Sequence, residues 1–474
     1  MPRPASDEQN MARQEYLYQQ APAAETPKKS RIRPNWTRQG WFRLLALVLL
    51  AELFMPFLVW PVRFPRIVLG VIEVSIALVA FVAFVYMLKE DRIPRAILLI
   101  IGLTLIWSIS PMLEGQSLAA TAWGWWGLFK YPLLGVFAFL VQGWPSDFAR
   151  WFFRFCIGLL VFQIVIQLIM LAMGFPVGDS LAGTFGLKGV MQFTMMVFFI
   201  VALGLGHWLA TYERKILLLI LALGLLGSTL NGTKFYLIGV GILAAATLII
   251  HLVRGGQLRQ LFVYIFLIAG AAAIFVPVYN SYLVNSRGLK PIQDYLNIET
   301  IEGYIFTDGA RGDDTSYNIG RGLAVTYGWQ QIRRDWTTTL FGFGIGTRTQ
   351  SGVLGIRGSV LEEDMYGVGV TTMGTWIQEI GVVGQLVFLA INLWMAAKMF
   401  QYARRANDPY RATLAYGLML FTLFWPLWQW YHKVWTAGVM MSLYWISIGY
   451  IFNQIYALGR RRVAAGRRCE KRSV

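Results

Sequence analysis

Residues 235–253, FYLIGVGILAAATLIIHLV, run for 19 positions without a single Asp, Glu, Lys or Arg. A bilayer's hydrocarbon core, about 30 Å thick, is crossed by about 20 apolar residues in a helix, so this stretch reads as a membrane span. Residues 68–88, 152–173, 216–230, 261–278 and 382–399 are runs of the same kind. Together they make the 474-residue chain a polytopic membrane protein. Its 56% hydrophobic and 14% charged side chains, against roughly 45–50% and 25% in an average soluble domain, exclude a soluble enzyme.

Apolar runs between charged punctuation predict an all-α fold of about twelve transmembrane helices, near 42–60, 67–88, 95–111, 125–142, 151–173, 190–210, 215–231, 235–253, 259–280, 376–400, 411–430 and 434–457. The first is interrupted by Pro56 and Pro61, and the fourth carries Lys130 and Pro132. Residues 1–40 are polar and rich in Pro, Gln and Arg, which predicts a disordered cytoplasmic tail; 459–474 read as a basic cytoplasmic tail. Nine helices fall within 41–280 and three within 376–458.

Short cytoplasmic loops are enriched in Lys and Arg. With both termini inside, 28 of the 42 Lys and Arg lie on the inner side, and 8 of the remaining 14 fall in one long loop. That distribution predicts cytoplasmic termini and explains the net charge of +17 without nucleic acid. The long loop, 281–375, has no run able to span. Its aromatic and patterned segments predict an ordered extracytoplasmic domain. Within it Val325, Trp329, Ile332 and Trp336 recur at helical spacing, predicting an amphipathic helix that lies on the bundle or in the membrane interface.

The two cysteines, Cys156 in an apolar run and Cys469 in the basic tail, predict neither a disulfide nor a thiolate metal site; His207, His251 and His432 are scattered. No metal and no cofactor is expected. The informative anomaly is a set of cations on the side that normally avoids them: Lys188, Lys234, Arg321, Arg333, Arg334, Arg348 and Lys433. Each can snorkel to lipid headgroups; as a set they suit a bound anion, phosphate above all, since Arg offers a bidentate fork and Lys a point charge. Gly342-Phe-Gly-Ile-Gly346 lacks the βαβ surroundings of a dinucleotide site and reads as a turn where glycine permits close approach of chain or ligand.

Taken in order, Gly320-Arg321 with Trp329 eight residues after the arginine, Leu340-Phe-Gly-Phe-Gly-Ile-Gly346, and Trp376-Ile-Gln-Glu379-Ile-Gly381-Val-Val-Gly384 opening a span resemble the bacterial O-antigen polymerase and ligase superfamily. Ser228–Lys234 is similar to that superfamily's Ser-x-Ser-Arg-type segment with Lys in place of Arg, and Gly183-Thr-Phe185 to another of its motifs, with Asp179 and Ser180 where an Arg is expected. The architecture covers nearly the whole chain, the motifs about 65 residues and two short patches.

The resemblance implies a multi-pass protein of the bacterial cytoplasmic (inner) membrane. Its activity would be transfer of glycan between polyprenyl-pyrophosphate-linked oligosaccharides at the periplasmic face, as in O-antigen or exopolysaccharide polymerisation. A flippase and a chain-length regulator are the implied partners besides membrane lipid. Fixed cations would stabilise charge developing on the pyrophosphate leaving group, with Arg321 and Lys234 first in that role and Lys188, Arg333, Arg334, Arg348 and Lys433 behind them. Glu379 is the best-placed carboxylate for a base, and equally suits a helix N-terminus electrostatically. Two other readings stay open. A ligase of the same superfamily usually carries a loop His where this chain has Thr371-Thr-Met-Gly-Thr375. A transporter of an anionic lipid or solute usually shows related halves and broken mid-membrane helices, neither of which is evident here.

Overall fold

The computed structural model describes residues 36–59, 63–90, 102, 104–109, 112–113, 115–141, 144–178, 180–186, 189–233, 235–255, 308–310, 317–351, 354–361 and 371–470, with isolated positions between 270 and 291. The predicted 1–40 tail falls outside them but for the start of one helix, as do most of the spans near 95–111 and 259–280, most of 281–316 and all of 362–370 in the long loop, and both Lys188 and Lys234. Residues Leu44–Val474 form one compact unit.

The described chain is helical. In order come α1 (Trp36–Val59), α2 (Gly70–Glu90), α3 (Leu118–Leu140), α4 (Phe148–Ala172), α5 (Val190–Thr211), α6 (Arg214–Leu230) and α7 (Phe235–Val253). Then follow the hairpin β1 (Asp308–Ala310) and β2 (Tyr317–Ile319), helices α8 (Arg321–Ile332) and α9 (Trp336–Phe341), and the hairpin β3 (Gln350–Ser351) and β4 (Ile356–Arg357). Helices α10 (Thr372–Ala403), α11 (Pro409–Leu423), α12 (Trp425–Tyr431) and α13 (Gly438–Glu470) complete it. Among the described residues, 67–85, 148–172, 190–211, 235–253 and 372–403 are long and apolar enough to cross a membrane. The chain is a helical membrane protein.

The core is the crossing of α5 and α11. Almost every side chain of α5 is buried, including Phe193, Phe198, Phe199 and Trp208, so α5 is apolar on all sides, as a helix surrounded by helices should be. Gly206 rests against the backbone of Gly417, and Gly417 against Leu203. Membrane helices gain little from hydrophobic exclusion and associate by close packing, which small residues allow. Gly135 of α3 and Gly449 of α13 make a second crossing of this kind.

Several boundaries differ from the sequence expectation for identifiable reasons. Helix α3 starts at Leu118, ahead of 125, because Ser117 caps it, accepting a hydrogen bond from the Ala120 N–H. The span expected at 411–430 is two helices, α11 and α12; Pro426 cannot donate to the Thr422 carbonyl, and the chain restarts at Trp425. The last helix runs on through Glu470, so the basic 459–470 segment is helical.

The loop helix also departs from its predicted form. Val325, Trp329, Ile332 and Trp336 do not form one buried stripe: the helix ends at Ile332, and Asp335 caps a new one by accepting from the Thr337 and Thr338 N–H groups. Trp336 is 71% exposed while Ile332 is buried. The buried face of α8 is Gly322, Ala324, Gly328 and Ile332, with Gly328 set against Gly374, Ile377 and Gln378 of α10. Small residues, rather than aromatic ones, dock this helix.

Candidate functional site

Helix α10 contains a break that builds the site. Gly381 has φ 61° and ψ −166°, far from helical values, and only glycine takes that region at low cost. The break frees the carbonyls of Gln378 and Glu379 from the helical ladder, and the glycine loop 342–346 takes them. Phe343 N–H donates to Gln378 O at 2.6 Å and Gly344 N–H to Glu379 O at 3.0 Å. Gly342, Gly344 and Gly346 all have positive φ. A Cβ on Gly342 would lie 2.5 Å from Gln378 O, and one on Gly346 2.5 Å from Ala120 O. The loop is thus wedged between α3 and the break in α10, and close approach of chain to chain is what its glycines permit. A kink with a named cause, whose Gln378 and Glu379 carbonyls are both taken by the loop, is a built feature of the helix.

The break aims Glu379 back at the loop, where its carboxylate accepts from the backbone N–H groups of Arg348, at 3.0 Å, and Gly346. The Arg348 side chain is buried, and its Nη2 donates to Gln331 Oε1 of α8 at 2.8 Å. Gln378 Nε2 donates to the same oxygen. One glutamine of the loop helix therefore fixes both the guanidinium and the residue before Glu379.

Lys433 reaches the same place from the turn between α12 and α13. Thr372 N–H donates to His432 O at 3.1 Å and Trp435 N–H to Thr372 Oγ1 at 3.4 Å, tying that turn to the first residues of α10. Lys433 is solvent-accessible, but the water it meets is that of a cavity. The surrounding protein desolvates the ammonium and lowers its pKa from the ordinary 10.5, and the charge of Glu379 offsets part of the effect.

That cavity, about 470 Å³, is lined by Arg348, Thr349 and Gln350, by Thr372, Thr375, Trp376 and Glu379, by Lys433 and Trp435, and by Trp123, Trp126, Lys130 and Glu73 from α3 and α2. Such a volume lies within the range of small-molecule and headgroup sites. It sits beside a narrower apolar slot of about 140 Å³ that shares Leu128, Trp376 and Trp435.

Three of the residues singled out from sequence, Arg348, Glu379 and Lys433, meet in this cavity. Arg321 does not line it. Its Nε donates to the Tyr431 carbonyl at 2.6 Å and its guanidinium lies over the Tyr431 ring, 4.5 Å from the centroid. Arg321 therefore anchors the turn that carries Lys433. Arg333 and Arg334 are exposed just past the end of α8. Lys188 and Lys234 lie outside the described residues; Phe235, next to Lys234, stacks on Tyr431 with centroids 3.6 Å apart.

The sequence reading missed Glu73, Lys130, Trp123 and Trp126. Lys130 Nζ pairs with Glu73 Oε1 at 2.7 Å and Trp126 Nε1 donates to Glu73 Oε2 at 2.5 Å. The signal was present: lone charges inside apolar runs mark function or pairing in membrane proteins. Among the described residues no three His, Cys, Asp or Glu side chains gather as a metal site would require. A scan of protein-family models finds no match to the chain, and a search of curated proteins finds none.

Proposed function

We propose that this protein is a polysaccharide polymerase of the O-antigen or exopolysaccharide type, an integral membrane glycosyltransferase that joins polyprenyl-pyrophosphate-linked glycans. The observation that carries the reading is the convergence of Arg348, Lys433 and Glu379 on one water-accessible cavity of a helical membrane protein. Two cations on separate elements, Arg348 held by Gln331 and Lys433 on a turn tied to the start of α10, suit the pyrophosphate of a lipid-linked donor. Attack of an acceptor hydroxyl on the anomeric carbon forms one C–O bond and breaks another. Polyprenyl pyrophosphate departs, the hydroxyl proton passes to a carboxylate, and the cations offset the charge gathering on the leaving oxygen. Glu379 accepts from the Arg348 N–H, and its charge acts on Lys433.

The reading includes about twelve spans, cytoplasmic termini, a periplasmic 281–375 loop and the bacterial inner membrane. Motifs shared with the polymerase and ligase superfamily, and the division of basic residues, support these points. Radiolabel transfer between lipid-linked oligosaccharides in proteoliposomes tests it. Lengthening of the labelled glycan on the lipid carrier is expected. Attachment of glycan to lipid A or protein without chain growth would move the assignment to a ligase, and movement of an intact lipid or solute across the bilayer to a transporter.

A further inference from the structure

The cavity has a second wall that the leaving-group chemistry does not use. It consists of Glu73 from α2 and of Trp123, Trp126 and Lys130 from α3. An ion pair within spanning helices costs desolvation that pairing only partly offsets, and a tie between α2 and α3 could be made by apolar packing instead. Here the pair faces the cavity: the Glu73 side chain is 32% exposed and that of Lys130 15%. Lys130 and Trp126 each occupy one carboxylate oxygen, whereas an ionised carboxylate offers about four acceptor positions, so Glu73 is held in orientation with acceptor capacity to spare. Two indoles line the cavity alongside it. Gly127, on the same helix, lines it too, and a Cβ there would meet nothing within 4 Å, so this part of the cavity is open.

An oriented carboxylate, an ammonium and indole rings around open space fit one ligand class well. The hydroxyls of a pyranose donate to carboxylate and accept from ammonium, and its C–H face, slightly positive, matches the negative face of an indole. We propose that the Glu73–Trp126–Lys130 wall, with Trp123, is the subsite for the acceptor sugar. The donor's pyrophosphate is taken by Arg348 and Lys433, which come from other elements lining the same cavity. The assignment rests on the transferase reading for the word acceptor, and on the wall's own chemistry for the word sugar.

The test uses full-length protein in lipid nanodiscs. The acceptor is the free oligosaccharide released by mild acid from the lipid-linked repeat of the producing cells; the donor is the radiolabelled lipid-linked repeat. Gly127→Phe projects a ring from a position where a Cβ meets nothing within 4 Å, and Trp126→Ala removes the indole and frees Glu73. Both are expected to raise the half-saturating acceptor concentration at least about tenfold, or about 1.4 kcal/mol, while the donor requirement stays at the wild-type value. Variants that shift donor and acceptor alike, or neither, overturn the subsite and leave the transferase standing; a pair that merely tied α2 to α3 would give that result. If wild type transfers nothing, the free oligosaccharide is titrated against intrinsic fluorescence. Quenching in wild type that is absent in Gly127→Phe keeps the sugar site and removes the transferase reading, and no quenching removes both.

Discussion

The α5–α11 crossing and the wall where α10 meets the 342–346 loop are both built on glycine, to opposite ends. At the crossing, Gly206 and Gly417 keep regular helical geometry and bring two apolar helices into backbone contact. At the wall, Gly342, Gly344, Gly346 and Gly381 adopt positive φ, interrupt a helix and exchange its hydrogen bonds with a loop. The first arrangement uses the missing side chain for proximity, the second for a backbone conformation other residues resist. Rigidity at the one and presentation of polar groups at the other are thus separable by mutation.

The largest effect is expected at the crossing. Gly206→Leu or Gly417→Val places a side chain into backbone that cannot recede, and the loss should reach or exceed the roughly 1–3 kcal/mol typical of overpacking. Little monodisperse protein should survive detergent extraction, read by size-exclusion chromatography and thermal unfolding; wild-type yield and Tm would show the contact to be slack. At the wall, Lys433→Ala and Arg348→Ala should each lower glycan transfer by about 10²–10³, the scale for removal of one preorganised donor, with folding retained. Gly381→Ala falls between the two. It forces a residue with a Cβ into a nearly glycine-only backbone region, about 1–3 kcal/mol, sets that Cβ 2.5 Å from Gly342 N and Leu340 O, and shifts Glu379, so both Tm and transfer should drop, transfer by about tenfold.

Arg321→Ala should cost less than Lys433→Ala, about tenfold in transfer, because the guanidinium acts on the cavity through the Tyr431 carbonyl. Arg321→Lys should recover part of that loss. A loss as large as that of Lys433→Ala would place Arg321 in contact with substrate.

The smallest expected change is in pH dependence. Lys433 gives up its proton below the ordinary 10.5, so kcat/KM should fall on the alkaline side in a limb centred below that value, and Lys433→Arg should move the limb upward. In that window the unfolded chain binds more protons than the folded one, so this group makes stability rise with pH; a fall in rate there is not unfolding. A limb unchanged in Lys433→Arg would assign it to another group.

What could be read from the sequence divides along the same line. Helices 148–172, 190–211 and 235–253 are evident because length and apolarity decide them locally. Arg348 and Lys433 stood out as cations on the side that normally avoids them, and Glu379 as the best-placed carboxylate. The break at Gly381 was hidden in an apolar run, since its conformation depends on a loop about forty residues earlier. The role of Arg321 depends on a carbonyl 110 positions away. Glu73 and Lys130 are 57 positions apart on separate predicted spans, so Lys130 read as a blemish in its own run and Glu73 drew no reading. The loop helix misled because Val325, Trp329 and Trp336 were periodic with Ile332, whereas only Ile332 of that set is buried, beside Gly322, Ala324 and Gly328.

The Glu73–Lys130 pair has a consequence for biosynthesis. Its two members leave the ribosome early, whereas Arg348, Glu379 and Lys433 follow only after a further 200 residues or more. Until then the first helices sit in lipid with half a polar chamber and no opposite half to close it. Because Glu73 and Lys130 are each other's counter-ion, the two meet the bilayer as a neutral pair once α2 and α3 are both inserted. Removing one partner would therefore act first on insertion during synthesis, before any finished enzyme exists to be assayed. Pulse-labelling of nascent chains would show that loss as early degradation, while an acceptor-site defect would appear only in mature protein.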